Sequence, residues 1–190
     1  KKLLDTCKEK AELDFLHGRK NWIIRHMLVD LALFSGLRVS EIAALKVGDL
    51  NLKAKDPYLI VRNGKGGKKR DVYLEKELVR HLKQFLQYKK KTLGRPVDND
   101  TPLFEGRNGE HKPIITFEKS FKVAIEAAGL PNHYSIHSAR HTYATYLLHG
   151  TQNLKYVQKQ LGHANIGTTA LYSGILPEEN GNLANQIKRD

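Results

Sequence analysis

The sequence has almost none of the residues that stabilise a fold through covalent or metal cross-links. Cys7 is the single cysteine among 190 residues, which excludes an intramolecular disulfide and a cysteine-rich zinc module. A lone thiol also suits a reducing compartment. A chain of this length can build a hydrophobic core without cross-links, so we predict one domain with a tail.

Long apolar runs are missing as well. No stretch approaches the roughly 18 apolar residues that a membrane-spanning helix needs, and the start KKLLDTCKEK lacks the apolar core of a signal peptide. These absences predict a cytoplasmic protein. The only methionine is Met27, so we expect the chain to be a fragment from which an upstream segment was removed.

Acidic residues are the minority among the charged ones. Twenty Asp and Glu stand against 32 Lys and Arg, which gives a formal charge of +12 and a pI near 9.7. This balance favours a polyanionic partner, with nucleic acid first among the candidates. The alternative is a soluble protein whose lysines are simply solvated.

The hydrophobic pattern predicts an α+β fold that is mainly α-helical with a small antiparallel sheet. Helical spacing runs from Asn21 to Ser35, and a short helix follows from Val39 or Ser40 until Gly48 breaks it. Arg38 therefore lies at a junction between two helices. We further predict strands at 58–62 and 70–74 around the turn NGKGGKK, and helices at 75–91, 117–128, 136–148 (closed by Gly150) and 154–161.

Six residues that lie far apart in the sequence share a chemical character. Five are cations or histidines and the sixth is a phenol. Guanidinium groups match the geometry of a phosphate with paired donors and do not lose their proton. Together the six could bind and attack a phosphodiester without a metal; they are Arg38, Lys65, His137, Arg140, His163 and Tyr172.

The predicted chemistry is nucleophilic attack on phosphorus by Tyr172, which divides one difficult step into two easier ones. A free phenol has a pKa near ~10, so it needs a histidine base or surrounding positive charge at neutral pH. The departing sugar oxygen needs a proton. Lys65, with its long stem near the hairpin tip, is a suitable general acid.

Four motifs, GLRVSEI, NGKGGKKR, HSARHTYAT and LGHANIGTTALY, occur in this order, and together they resemble the tyrosine recombinase (phage integrase) family. The resemblance covers about Leu13 to Ser173. It implies the DNA breaking-rejoining catalytic fold of tyrosine recombinases and strand transfer through a 3′-phosphotyrosyl linkage, with neither a metal nor another cofactor. The six residues take the catalytic positions, and Glu41 takes an acidic supporting position.

Further roles and partners are expected beside these six positions. His141 is taken as structural or supporting, Lys68 and Lys69 are rivals of Lys65 as the proton donor, and Lys68, Lys69 and Arg70 are predicted to bind DNA. The expected partners are duplex DNA with a specific recombination site and further copies of the chain, as a homo-oligomer that is a tetramer on DNA in the nucleoid. We expect residues 1–174 to form the catalytic domain and 175–190 a tail exchanged between protomers, with the family's upstream core-binding domain absent from this chain.

Several alternatives remain open at the level of sequence. A type IB topoisomerase uses similar chemistry, and a catalytically silent DNA-binding module would keep the fold alone. Arg38 could merely pair with Glu41, and the tail could pack on its own chain. His137 and His141 have the spacing of a zinc pair, but HSARH lacks the glutamate of HExxH and Arg140 would oppose a dication.

Overall fold

The computed structural model describes residues 1–64, 67–162 and Ala184. Within them the chain forms seven helices, three strands and a 3-10 turn at Val47–Asp49. The helices are α1 Lys2–Leu16, α2 Asn21–Phe34, α3 Val39–Ala44, α4 Lys76–Thr92, α5 Ile114–Ala127, α6 Ile136–Thr151 and α7 Leu154–Leu161. The strands are β1 Leu50–Asn51, β2 Tyr58–Val61 and β3 Arg70–Tyr73.

Helix α2 is the centre of the fold. Its buried side chains include every residue from Met27 to Ala32, and it packs against α1, α4, α5 and α6. A helix that is apolar on most of its circumference is stable only when other elements cover it on several sides. Each large aliphatic side chain buried here contributes about 1.5–3 kcal/mol to the core.

The sheet is a small antiparallel meander in the order β1-β2-β3. Leu59 of β2 pairs with Val72 of β3, and both are fully buried. The hairpin between β2 and β3 is closed by the Gly64 N–H, which donates to the Lys68 carbonyl at 3.0 Å. The described residues beside this turn, 62–63 and 67–69, are exposed, and Arg70 lies at the beginning of β3.

The predicted fold class and most predicted elements are confirmed. The helices and strands expected from Asn21 onward are present, with ends shifted by a few residues. Four details were wrong or missed. Helix α6 continues past Gly150 to Thr151, and its C-cap residue Gln152 has a φ of +51°. Helix α3 ends at Ala44, before Gly48, and α1 and β1 were not predicted.

Within residues 1–64 and 67–162, no helix combines the length and the apolar character that crossing a bilayer requires.

Candidate active site

The junction between α2 and α3 brings Arg38 close to α6. Gly36 has a φ of +63°, and a Cβ there would lie 2.4 Å from Cδ1 of Tyr143 in α6. Only a glycine permits both this backbone conformation and this close approach. Arg38 follows as the N-cap residue of α3, with a side chain that is 27% exposed.

Glu41 organises the first turn of α3. Its Oε2 accepts the backbone N–H of Arg38 at 2.8 Å, and its Oε1 accepts Nη1 of the same residue at 2.9 Å. The carboxylate therefore caps the helix and orients the Arg38 guanidinium at once. The sequence allowed two interpretations of Glu41, a supporting residue of the site or a simple ion pair with Arg38. Both correspond to this contact, and the supporting role stays a prediction.

Arg70 reaches the same carboxylate from the sheet. Its Nη1 and Nη2 donate to Oε1 and Oε2 of Glu41 at 2.8 and 2.9 Å, which is a bidentate pair. Its Nε donates to the Gln160 carbonyl at 3.0 Å. The Arg70 side chain is 11% exposed, and its predicted contact with DNA stays a prediction.

Arg140 completes the cluster from α6. Its Nη1 donates to the Gly36 carbonyl and lies 3.9 Å from Oε2 of Glu41, and its Nη2 donates to the Leu161 carbonyl at 2.8 Å. Arg38, Arg70 and Arg140, which come from three separate segments, thus surround one carboxylate. We call these four residues the Glu41 cluster.

The electrostatics of the Glu41 cluster favour an anion. Burial raises the pKa of Glu41, but hydrogen bonds from Arg70 and Arg38 outweigh it, so the pKa lies below its ordinary value. Burial and the nearby charge of Arg38 lower the pKa of Arg140 to about 10, which leaves it protonated at neutral pH. Three guanidinium groups against one carboxylate leave uncompensated positive charge.

The C-terminal end of α7 is hydrogen-bonded to the Glu41 cluster. The last carbonyl groups of a helix lack partners inside it, and here Arg70 and Arg140 bind those of Gln160 and Leu161. Gly162 ends α7 with a φ of +65°, and a Cβ there would lie 2.9 Å from Nε of Arg70. The backbone that leads directly into His163 is therefore packed on an arginine of the cluster.

The two predicted histidines of α6 lie in its first half. His137 and His141 are exposed, and His137 shares a helix surface with Arg140, three residues later. Ser135 accepts the backbone N–H of Ser138 and so caps this helix. In the described part of the chain, no group of three or more His, Cys, Asp or Glu side chains has the arrangement of a metal site.

The remaining predicted residues are at the hairpin or outside the described ranges. Lys68 and Lys69 are exposed. Lys65, His163 and Tyr172 lie outside the described residues. The structure brings Arg38, Glu41 and Arg140 together, and the catalytic roles of all six residues stay predictions. Sequence reasoning missed the place of Arg70 in the cluster, because its partners Glu41 and Gln160 are 29 and 90 residues away.

A separate cavity of about 720 Å³ lies between α1, α2 and α4. Phe15, Phe85 and Tyr88 line it together with His26 and His81, and it contains none of the predicted catalytic residues. This cavity and the Glu41 cluster are therefore separate features of the molecule.

Comparison with known proteins shows the family to which the chain belongs. The sequence model described as "Phage integrase family" matches residues 1–179, so the chain belongs to the phage integrase family, and the predicted resemblance is confirmed. The tyrosine recombinase XerA of Pyrococcus horikoshii is 32% identical over 155 residues, which are 80% of this chain and 51% of that protein. The tyrosine recombinase XerC of Neisseria gonorrhoeae is 35% identical over 150 residues, which are 79% and 47% of the two chains.

Solved structures confirm the tyrosine recombinase fold. The crystal structure of XerA recombinase matches with a TM-score of 0.69 and 27% identity, over 92% of this chain and 59% of that one. The XerH site-specific recombinase bound to difH substrate, in a pre-cleavage complex, matches with a TM-score of 0.70 and 27% identity, over 92% and 48%. The chain spans about half the length of the curated relatives it matches. The type IB topoisomerase alternative is not favoured.

Proposed function

We propose that this chain is the catalytic part of a site-specific recombinase that cleaves and rejoins duplex DNA through a 3′-phosphotyrosyl intermediate. The observation that carries the proposal is the Glu41 cluster, in which Arg38 and Arg140 lie on one carboxylate although 102 positions separate them in the sequence. Two guanidinium groups held together by the fold make a binding site for a phosphate.

The arginines supply electrostatic catalysis. A phosphodiester under attack gains negative charge on its nonbridging oxygens, and donors fixed before the reaction stabilise that charge most effectively. Arg38 is 27% exposed and uses one terminal nitrogen for Glu41, so it retains donors for a phosphate. Glu41, whose side chain is 3% exposed, orients these groups and touches no substrate itself.

The other groups complete the reaction in their predicted roles. The phenolic oxygen of Tyr172 forms a bond to phosphorus, the bond to the 5′-oxygen breaks, and Lys65 gives that oxygen its proton. His137, exposed beside Arg140, and His163 donate to the phosphate or take the phenolic proton. Attack by the 5′-hydroxyl of another strand reverses these steps and releases Tyr172, so no high-energy cofactor is consumed.

The proposed partners are a specific duplex site and further copies of the chain. The charge of +12 suits a duplex, and structurally similar proteins such as XerH were solved bound to a difH substrate. We place residues 1–174 as the catalytic domain and 175–190 as a tail exchanged within a tetramer, working on DNA in the cytoplasmic nucleoid. Lys68 and Lys69, exposed on the hairpin, are proposed to contact the DNA backbone.

A covalent-trapping experiment tests the proposal. The full-length natural protein that carries this chain is mixed with duplexes that contain candidate recombination sites and a nick beside the cleavage point, so that religation is prevented. We expect a covalent protein–DNA adduct, none with Tyr172→Phe, and about a 10²-fold slower adduct formation with Arg140→Ala because a transition-state donor is lost. An equal yield of adduct from the wild type and Tyr172→Phe would refute Tyr172 as the nucleophile.

A further inference from the structure

Arg70 is the first residue of β3, five positions after Lys65, and it contacts two other segments that carry catalytic assignments. It binds both carboxylate oxygens of Glu41, which also holds Arg38. Its Nε binds the Gln160 carbonyl, three residues before His163. One planar side chain therefore spans the hairpin, the start of α3 and the end of α7.

Gln160 makes a second connection between the same sheet and α7. Its Oε1 accepts the backbone N–H of Tyr73 at 2.9 Å, and its Nε2 donates to the Tyr73 carbonyl at 3.3 Å. The same Nε2 donates to the Tyr156 hydroxyl at 2.7 Å. The amide thus pairs with β3 as a neighbouring strand would, and Gln160 is almost completely buried.

We propose that Arg70 and Gln160 are positioning residues that couple β3 and α7 to the Glu41 cluster, so that the Arg38 guanidinium, the start of β3 and the end of α7 keep one fixed arrangement. This inference rests on the proposed function. A bidentate arginine–carboxylate pair fixes both distance and orientation, which a single lysine ammonium does not. Partners that orient catalytic ligands in this way typically change activity by about 10–100-fold when they are removed.

The contacts of Arg70 favour this role over direct recognition of DNA. Three of its roughly five N–H donors are engaged with protein acceptors, and its side chain is 11% exposed. A DNA-binding arginine on a hairpin would instead resemble Lys68 and Lys69, which are exposed. Arg70 therefore acts on the reaction through Glu41 and Gln160.

The first test separates DNA affinity from the rate of cleavage. Arg70→Lys keeps the charge and loses the bidentate pair, and it is assayed in the full-length protein with the nicked substrate. We expect the Kd for the duplex to stay within about threefold while the rate of adduct formation at saturating DNA falls by about tenfold or more. Arg80→Lys is the matched control, because Arg80 forms an exposed pair with Glu77 on α4, and we expect wild-type values.

Two results of this assay would overturn the proposal. One is a wild-type cleavage rate for Arg70→Lys at saturating DNA. The other is a loss of affinity with a smaller salt dependence and an unchanged maximal rate, which is the behaviour of a phosphate-contacting residue.

The second test needs no DNA and therefore stands apart from the proposed function. In Gln160→Leu the Tyr73 N–H loses its acceptor, so we expect faster hydrogen exchange in residues 70–74 and 156–162 of the full-length protein, with α1 unchanged. Exchange at wild-type rates in both segments would refute the coupling. If the wild type forms no adduct, the proposed function fails, and hydrogen exchange in Gln160→Leu and Arg70→Lys then decides whether Gln160 and Arg70 couple β3 to α7.

Discussion

At the scale of single residues, the spacing of Arg38 and Glu41, three positions apart, predicts a contact that the structure contains. A glutamate three positions into a short helix is expected to turn back to the N-cap backbone, and Glu41 does so. The sequence therefore predicts the Arg38–Glu41 contact. The approach of Arg70 and Arg140 to the same carboxylate depends on packing between distant segments, which no local pattern specifies.

Tyr143 of α6 is a buried tyrosine whose hydroxyl is expected to reduce the stability of the fold. Its ring is buried against Gly36, and its hydroxyl has no hydrogen-bond partner among the described residues. Burial also raises the pKa of this phenol far above its ordinary value. A buried hydroxyl without a partner carries a desolvation cost, so we expect Tyr143→Phe to leave the free energy of unfolding unchanged or to raise it by up to about 1 kcal/mol.

Urea denaturation checks this expectation, and Tyr156→Phe is the control. The Tyr156 hydroxyl accepts Nε2 of Gln160, so its removal should lower the free energy of unfolding by about 1 kcal/mol. A larger loss for Tyr143→Phe than for Tyr156→Phe would contradict the prediction.

At the scale of elements, the sequence predicted the strongly periodic helices and missed those whose pattern is broken or short. In the last turn of α1 the acidic Asp14 is buried while Leu13, Phe15 and Leu16 are exposed, so the hydrophobic pattern there does not indicate a buried helix face. The burial of Asp14 is compensated by hydrogen bonds that it accepts from the backbone N–H of Trp22 and from Nε of Arg19. Strand β1 has two residues, too few to show an alternation.

At the junction of α2 with α3, Gly36 is expected to be essential for the stability of the fold. An alanine at Gly36 would adopt a left-handed conformation, which costs about 1–2 kcal/mol, and its Cβ would overlap the Tyr143 ring, which adds about 1–3 kcal/mol of overpacking. We expect Gly36→Ala to lower the free energy of unfolding by about 2–5 kcal/mol in urea denaturation. Gly18→Ala is the control, since Gly18 has a φ of +66° with no atom within 4 Å of the added Cβ; equal losses for the two variants would show that α6 does not restrict the junction.

At the scale of the whole molecule, the stability should depend on acid titration of buried carboxylates. Hydrogen bonds from Trp22 and Arg19 outweigh the opposing effect of burial and lower the pKa of Asp14, and the pKa of Glu41 is lowered as described above. A carboxyl group whose pKa is lower in the folded than in the unfolded chain stabilises the fold above its unfolded pKa, near ~4. That contribution is lost as the pH falls through the folded pKa.

The urea midpoint of unfolding should therefore be flat from neutral pH to about pH 5 and fall below about pH 4. Asp14→Asn removes one of these groups, so we expect a lower midpoint at neutral pH and a shallower fall in acid. Denaturation curves between pH 3 and 7 measure both effects, and a midpoint that rises on acidification would contradict the assignment of Asp14 and Glu41.

The sharing of Glu41 among three arginines has a consequence for mutational work on this molecule. Residues that act through a common partner are energetically coupled, so the effects of replacing them do not sum. We expect the carboxylate to reorient towards the remaining arginines once one guanidinium has lost its contact, so that a second replacement starts from an altered reference. Double-mutant cycles, rather than lists of single substitutions, are the appropriate way to rank Arg38, Arg70 and Arg140.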